Sequence, residues 1–370
     1  MSKVRETTLE IDLRALEHNY RYLRSRLAET TRFLAVVKAY AYGSAPARVA
    51  LKLQDLGADY FAVAYTAEGI TLRQAGVTQP ILVLHPLPVH FDELIDHCLE
   101  PALYNSKVLR EFASAASTKG VKDYPVHIKF NTGLNRLGFW ENDTDHILEL
   151  LTNSPQLKVA SLFSHLVASE DPEEKDFSLL QIASFKSTSE KLIGALGYSP
   201  MRHMLNTSGI LNYTAEAEFD MVRSGIGLYG FGNEVQYDHI LKPVVSLKSV
   251  ISQIHRIEPG ESVGYNRKFT AKTFTKTATI PLGHADGIGR IYGNGKGFLT
   301  VQGQRAPIIG NVCMDMLMID ITGIDCREGD EVTVFGTAPT AAQFAATGGT
   351  ISYELITAIS QRVRRIFIEQ

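Results

Sequence analysis

Cysteine, tryptophan, long apolar runs and net charge are all scarce in this chain of 370 residues. Its three cysteines, Cys98, Cys313 and Cys326, are too few for a disulfide framework and lack the spacing of metal ligands. A reducing cytoplasm is the compartment this implies. The formal charge is only -3, with no basic cluster interleaved with aromatics, so the electrostatic footprint of a nucleic-acid binder is missing. No apolar run approaches the roughly 20 residues that span a bilayer. The opening Met1-Ser-Lys-Val-Arg-Glu leads into a polar/apolar strand pattern and does not read as a signal peptide. Also missing is a Gly-x-Gly-x-x-Gly after the first strand, which argues against a dinucleotide site. What remains is 45% hydrophobic and 21% charged, the composition of a globular protein with ample core. The length predicts about two domains.

Two textures divide the chain. From residue 33 to about 229, short apolar runs alternate with segments of helical spacing. The runs predict eight strands at 33–37, 60–64, 81–84, 102–104, 126–130, 159–164, 203–205 and 221–223. Helical spacing falls at 46–56, 66–75, 92–98, 106–119, 143–151 and 173–196. Alternating βα units imply a parallel sheet with right-handed crossovers. Eight such units in about 200 residues favour a (β/α)8 barrel over a doubly wound open sheet. Past residue 237 the helical spacing stops, and strands punctuated by Gly, Pro and Asn take over at 244–257, 275–281, 297–301, 306–309, 316–321 and 331–335. The opening run 4–13 has the same alternation and is expected to join that sheet. A last helix is predicted over 352–362. The expected division is a barrel over 11–237 and a β-rich domain over 238–370, with the strand in 1–10 assigned to the second.

Chemistry gathers at the ends of the barrel strands. Lys38 closes the apolar run 33–37, where an ammonium either reaches solvent or loses hydration and titrates low. A lysine of lowered pKa is what Schiff-base chemistry needs. His127 and Lys129 lie in the fifth strand, His165 ends the sixth, Asn206-Thr-Ser208 ends the seventh and Arg223-Ser-Gly-Ile226 ends the eighth. Barrel enzymes build their sites on that rim, and often bind phosphate in the loops after strands seven and eight. There the chain offers the Thr207 and Ser208 hydroxyls and backbone amides beside Gly225, where a missing Cβ allows close approach to an anion. A lysine imine with a phosphate cradle suggests pyridoxal 5′-phosphate (PLP).

Ala35-Val-Val-Lys-Ala-Tyr-Ala-Tyr-Gly43 resembles the PLP-lysine motif of alanine racemases. The resemblance extends over essentially the whole chain. In order, it includes His127-Ile-Lys-Phe-Asn-Thr-Gly-Leu-Asn-Arg-Leu-Gly138, Met221-Val-Arg-Ser-Gly-Ile226, Val263-Gly-Tyr265, Gly283-His-Ala-Asp-Gly287, Gly310-Asn-Val-Cys-Met-Asp315 and Thr350-Ile-Ser-Tyr353. It implies a PLP-dependent barrel with a C-terminal β domain, working as a head-to-tail homodimer that supplies D-alanine for peptidoglycan. Carried over by position, Lys38 would hold PLP as an imine and act as the base on the D-face of the substrate. Tyr265, from the other subunit, would be the base on the L-face. Tyr42, Thr207, Gly225, Ile226 and Tyr353 would hold the phosphate. Arg223 would face the pyridine nitrogen, and His165 would lie by the ring and link Arg223 to Tyr265. Arg136 would meet the phenolic oxygen and the substrate carboxylate, with help from the Met314 amide. Lys129 matches a position that is carbamylated in many members, where the carbamate orients the arginine.

The chain departs from the family pattern in several places. Tyr40, Ser44 and Ala45 replace the Asn, His and Gly of the usual lysine motif. His284 replaces the tyrosine that usually lines the substrate entrance, and Asn311 stands where Arg is frequent. These change the charge and width of the expected channel but remove neither proposed base. Three alternatives stay beside the alanine racemase: a racemase of broader specificity acting on serine or larger residues, a fold-related PLP decarboxylase, and a non-catalytic PLP-binding protein. Arg223 argues against the decarboxylase, which usually places a carboxylate at the ring nitrogen. The β domain with Tyr265 argues against the carrier.

Overall fold

The computed structural model describes residues 4–369. Eight parallel strands close into a barrel: Arg32–Val36, Tyr60–Val63, Ile81–Val83, Glu100–Leu103, Tyr124–Lys129, Leu157–Phe163, Met201–His203 and Met221–Ser224. The last pairs with the first, Leu34 opposite Arg223, which shuts the cylinder. Most of these strands are buried on both faces, as parallel strands under a coat of helices must be, so they read as apolar runs rather than alternations. The helices begin where the local chemistry allows. Pro46 starts Pro46–Asp55, the Asn105 side chain caps Ser106–Thr118 through the Val108 amide at 2.9 Å, and Gly197 at φ 73 ends Lys175–Leu196. The (β/α)8 barrel expected from the alternation is present, with several strands starting one or two residues earlier than predicted.

The second half forms a nine-stranded sheet. Its order is Gln253–Ile257, Thr275–Ile280, Leu317–Asp320, Gln304–Ile309, Phe298–Val301, Glu331–Phe335, Val245–Val250, Thr8–Asp12 and Arg364–Ile368. Thr8–Asp12 pairs antiparallel with Val245–Val250 and parallel with Arg364–Ile368, so the opening strand does join this sheet. Of the opening segment, residues 1–3 lie outside the described residues, as does Gln370.

Three local expectations differ. The run 244–257 is two strands, because after Ile251 the chain crosses over: the Ile251 amide bonds Asp330 while the Ser252 amide bonds Thr279, on distant strands of the sheet. Residues 13–24 form a helix, Leu13–Arg24, started by the Asp12 carboxylate accepting from the Arg14 and Ala15 amides at 2.9 and 3.1 Å. The final helix stops at Ala358, and the chain turns into Arg364–Ile368. Arg365 explains the turn. Its guanidinium donates to the carbonyls of Ile359, Ser360 and Val363, and also to those of Gly43 and Ser44 beside the first barrel strand.

Candidate functional site

Lys38 leaves the first barrel strand at the start of an unusual turn. Residues 39–42 all have φ between 51° and 58°, the left-handed region, and Gly43 follows at 79°. Each non-glycine residue there costs roughly 1–2 kcal/mol. The conformation is over-determined from outside. Glu68 accepts from the Ala39 amide at 2.6 Å and from the Ala64 and Tyr65 amides at 2.7 and 3.2 Å, which ties the first two barrel loops together. Arg365 grips the Gly43 carbonyl at 2.9 Å. A Cβ on residue 43 would stand 2.0 Å from the Ile356 carbonyl oxygen. Ala39 and Tyr40 therefore project outward, while Lys38 and Tyr42 line a cavity of about 590 Å³ at the C-terminal end of the barrel.

The same cavity collects Lys129, Arg136, His165, Thr207, Arg223, Gly225, Ile226 and Tyr353, which are the residues expected there. Four cations and no carboxylate line it among the described residues, so an anionic occupant would complete its charge balance. Burial, then the charge of Arg136, holds Lys38 below the ordinary lysine value. Lys129 is 8% exposed and is brought down to about 8, chiefly by burial and then by Arg136, Arg223 and Lys38. Its ammonium has no hydrogen bond or ion pair among the described residues, and the Phe163 ring lies 5.9 Å from Nζ. Arg223 is buried and donates from Nη1 to His203 Nδ1 at 2.7 Å. From Nη2 it donates to the Ser164 and Met204 carbonyls at 2.7 and 3.0 Å and to His165 Nδ1 at 3.2 Å. Its Nε–H has no acceptor among the described residues. Burial and the surrounding cations, Arg223 first, push His165 well below the ordinary histidine value.

The far end of the cavity is a set of donors. Thr207 Oγ meets Ser224 Oγ at 3.0 Å and accepts from the Gly227 amide at 3.2 Å. The Gly225 and Ile226 amides have no acceptor among the described residues. Tyr42 stacks on Tyr229 with centroids 4.5 Å apart, and its hydroxyl lies so close to Gly225 that a Cβ there would be 2.1 Å away. Tyr353 accepts from Asn233 Nδ2 at 3.1 Å, and burial raises its phenol to about 12. An amine at one end, neutral phenols, hydroxyls and free amides at the other, and an unused Arg223 N–H between them fit PLP in size and charge.

Two of the expected residues lie elsewhere. Tyr265 and Met314 are 72% and 59% exposed on the β-rich half and do not line this cavity. The Tyr265 carbonyl accepts from Asn311 Nδ2 at 3.2 Å, and the Met314 carbonyl from the Ala285 amide at 3.0 Å. His127 also departs from its expected place on the rim. It is fully buried inside the barrel, one strand repeat beneath Lys129. The sequence reading missed Tyr65, His85 and Asn233, which line the cavity. Tyr65 and His85 follow Tyr60–Val63 and Ile81–Val83 on the same rim, so the rule that singled out Lys38 applied to them as well. Nothing in the sequence marked Asn233.

Models of the alanine racemase N-terminal and C-terminal domains match residues 11–232 and 244–367. Alanine racemase 2 of Caldanaerobacter subterraneus subsp. tengcongensis is 34% identical over 377 residues, covering 99% of this chain and 96% of the relative. Among solved structures, the alanine racemase of Clostridium difficile 630 superposes with a TM-score of 0.92 at 33% identity, over 100% of this chain and 97% of that one. The Bartonella henselae alanine racemase with covalently bound pyridoxal phosphate gives 0.89 at 28% identity, over 98% and 99%. The barrel and sheet, the cavity at the barrel rim and these matches along nearly the full length lead to one conclusion: the chain belongs to the alanine racemase family of PLP-dependent isomerases.

Proposed function

We propose that this protein interconverts L-alanine and D-alanine with two opposed bases, and that the D-alanine serves peptidoglycan synthesis in the cytoplasm. The observation that carries the reading is Lys38 in a cavity of cations and donors, titrating below an ordinary lysine. The covalently bound cofactor of the Bartonella henselae relative supports Lys38 as the anchor of PLP here. The phosphate would lie against Tyr42, Thr207, Tyr353 and the Gly225 and Ile226 amides. Arg223 would offer its unused Nε–H to the pyridine nitrogen, with His165 beside the ring. Bound PLP supplies an electron sink for the pair left when the substrate Cα–H bond breaks. Arginine stays charged and only donates, so Arg223 would discourage protonation of that nitrogen and keep the sink weak, which limits side reactions.

The remaining steps belong to the protein. Arg136, with the Met314 amide, would fix the substrate carboxylate, and a carbamate on Lys129 would hold Arg136 in place. Lys38 Nζ would take or return the proton on the D-face, and Tyr265 Oη on the L-face. A phenol of pKa ~10 serves as a base at neutral pH only where neighbouring cations favour the phenolate. The Arg223–His165 side of the cavity is where a second copy would bring Tyr265. The exposure of Tyr265 and Met314 supports a homodimer in which each copy completes the other's site. The working division is a barrel over 11–237 and a β-rich unit over 238–370 that takes residues 1–10, in keeping with the family matches and strand pairing.

His284 and the hold of Asn311 on the Tyr265 backbone favour a second reading, a racemase of broader specificity. PLP-loaded protein incubated with a panel of L-amino acids and analysed by chiral chromatography tests both. Fast racemisation of L-alanine with little turnover of the others is the expected result. Preferred turnover of serine or a larger residue would support the second reading. No turnover with PLP bound at Lys38 would leave a carrier and overturn both.

A further inference from the structure

Below the cavity floor the barrel interior is polar, where branched apolar side chains ordinarily fill it. Glu100, His127, Ser161 and His203 come from four successive strands, and none is more than 8% exposed. They form an unbroken chain of hydrogen bonds to Arg223. His203 Nδ1 is 2.7 Å from Arg223 Nη1, and His203 Nε2 is 2.8 Å from Ser161 Oγ. Ser161 Oγ is 2.5 Å from His127 Nδ1, and His127 Nε2 is 2.7 Å from Glu100 Oε2. The Tyr60 hydroxyl donates to the same carboxylate oxygen at 3.2 Å.

The direction of this chain follows from the donor inventory. Arginine has only N–H donors, so His203 Nδ1 accepts. Burial and the Arg223 charge hold His203 well below the ordinary histidine value, so its ring is neutral and its proton is on Nε2. That N–H donates to Ser161, whose single hydrogen goes to His127 Nδ1. His127 Nε2–H then donates to Glu100. Every hydrogen along the path is used, in one direction, from the cation under the cavity to a carboxylate that can only accept. The reverse direction would set a His203 N–H against an Arg223 N–H and leave buried donors unpaired, at roughly 1–3 kcal/mol each.

We infer that Glu100 is a positioning residue for Arg223: Arg223 sets the His203 tautomer, and Glu100, by accepting the last hydrogen of the relay, holds His127, Ser161 and the His203 ring in line behind the guanidinium. Arg223 lines the cavity and its Nε–H has no acceptor among the described residues; the catalytic meaning of the relay rests on the proposed meeting of Arg223 with the cofactor. Glu100→Leu is the sharpest perturbation. It removes the acceptor of the His127 Nε2–H, so that His127 keeps a partner for its proton only by moving it to Nδ1, toward Ser161.

The test uses the full chain labelled with ¹⁵N-histidine, first without cofactor. The ring shifts of His203 and His127 should report Nε2–H on both in the unaltered protein and a changed His127 tautomer in Glu100→Leu, while Ser161→Ala breaks the relay without changing the His203 tautomer. In the PLP-loaded forms the two variants should shift the long-wavelength absorption of the bound cofactor. They should also lower kcat about tenfold while KM stays within about twofold. Ser161→Thr, which keeps the hydroxyl, should restore both. An Nδ1–H on His203 in the unaltered protein overturns the inference even if every variant fails to fold. So does a Glu100→Leu protein whose His127 tautomer and cofactor spectrum are unchanged. If the unaltered protein binds no PLP or racemises nothing, the functional reading falls, while the apo-protein tautomers still decide the relay.

Discussion

Lys129 makes a quantitative test of the cavity's electrostatics. It is a buried cation facing Lys38, Arg136, Arg223 and the neutral His165 with no anion among the described residues to balance it, and it titrates near 8 instead of the ordinary 10.5. The unfolded chain therefore binds this proton more tightly than the folded one. Between those two pH values the unfolded state holds more protons, so stability rises with pH across that window. Below about 8 the full penalty applies, and the gap between the two values corresponds to about 3 kcal/mol. In phosphate-free and carbon-dioxide-free buffer at pH 7, Lys129→Met should melt higher than the unaltered apo-protein by about 5 °C. That advantage should close as the pH approaches 10.5. Bicarbonate should reverse the order. At pH 7.4 roughly one-fifth of a lysine of pKa 8 is neutral, against less than about a thousandth of an ordinary one. Only the neutral amine adds carbon dioxide, and the resulting anion would lie among three cations. Calorimetry with and without bicarbonate, beside ¹³C spectra after ¹³C-bicarbonate, reads both effects. A difference between the two proteins that does not vary with pH in the carbon-dioxide-free buffer would refute the electrostatic argument. A ¹³C spectrum with no carbamate signal dependent on Lys129 would refute the carbamate.

The remaining predictions concern the cofactor cradle, the Lys38 turn and the shared site. Gly225→Ala must drive Tyr42 off its stack on Tyr229, since the new Cβ would lie 2.1 Å from the hydroxyl. PLP affinity measured by absorbance titration should fall at least about tenfold, and an unchanged affinity would show that the close approach is not needed. Arg365→Ala removes the donor to five backbone carbonyls, two of them, Gly43 and Ser44, at the end of the left-handed turn. The urea midpoint should fall by the equivalent of at least about 2 kcal/mol, and a midpoint that does not move would mean that other contacts hold the turn. Lys38→Ala and Tyr265→Phe should each be inactive alone. Mixed and refolded together they should regain about a quarter of native activity per chain, because half the dimers are mixed and each has one intact site. A mixture as inactive as its parts would rule out a site shared between copies.

The barrel was legible because its signal is local. Parallel strands buried on both faces are written as apolar runs such as 33–37 and 60–63, and amphipathic helices separate them. The rim residues were legible for the same reason: a polar side chain at the end of such a run, like Lys38 or Arg223, is placed toward the mouth of the cylinder. Boundaries fared worse where tertiary contacts override propensity. Residues 244–257 alternate throughout, yet the chain crosses to a distant strand after Ile251. The helix expected to 362 ends at Ala358, and Arg365 occupies carbonyls on both sides of that turn.

By itself the sequence determined the fold class and the β-rich second half, through periodicity, and its resemblance to a known family named most of the polar side chains around the cavity, though not Tyr65, His85 or Asn233. Only the tertiary structure decided which of those side chains meet. Four left-handed residues after Lys38 contradict the preference of alanine and tyrosine, and they persist because Glu68 and the distant Arg365 hold them. His127 and Lys129 share a strand face, yet barrel closure places one deep in a buried relay and the other at the mouth. Tyr265 belongs to the same set of motifs as Lys38 but is held on the β-rich half, outside the cavity. Register across strands and closure of the barrel are long-range properties, fixed by burying the whole core at once, and no local stretch of sequence encodes them.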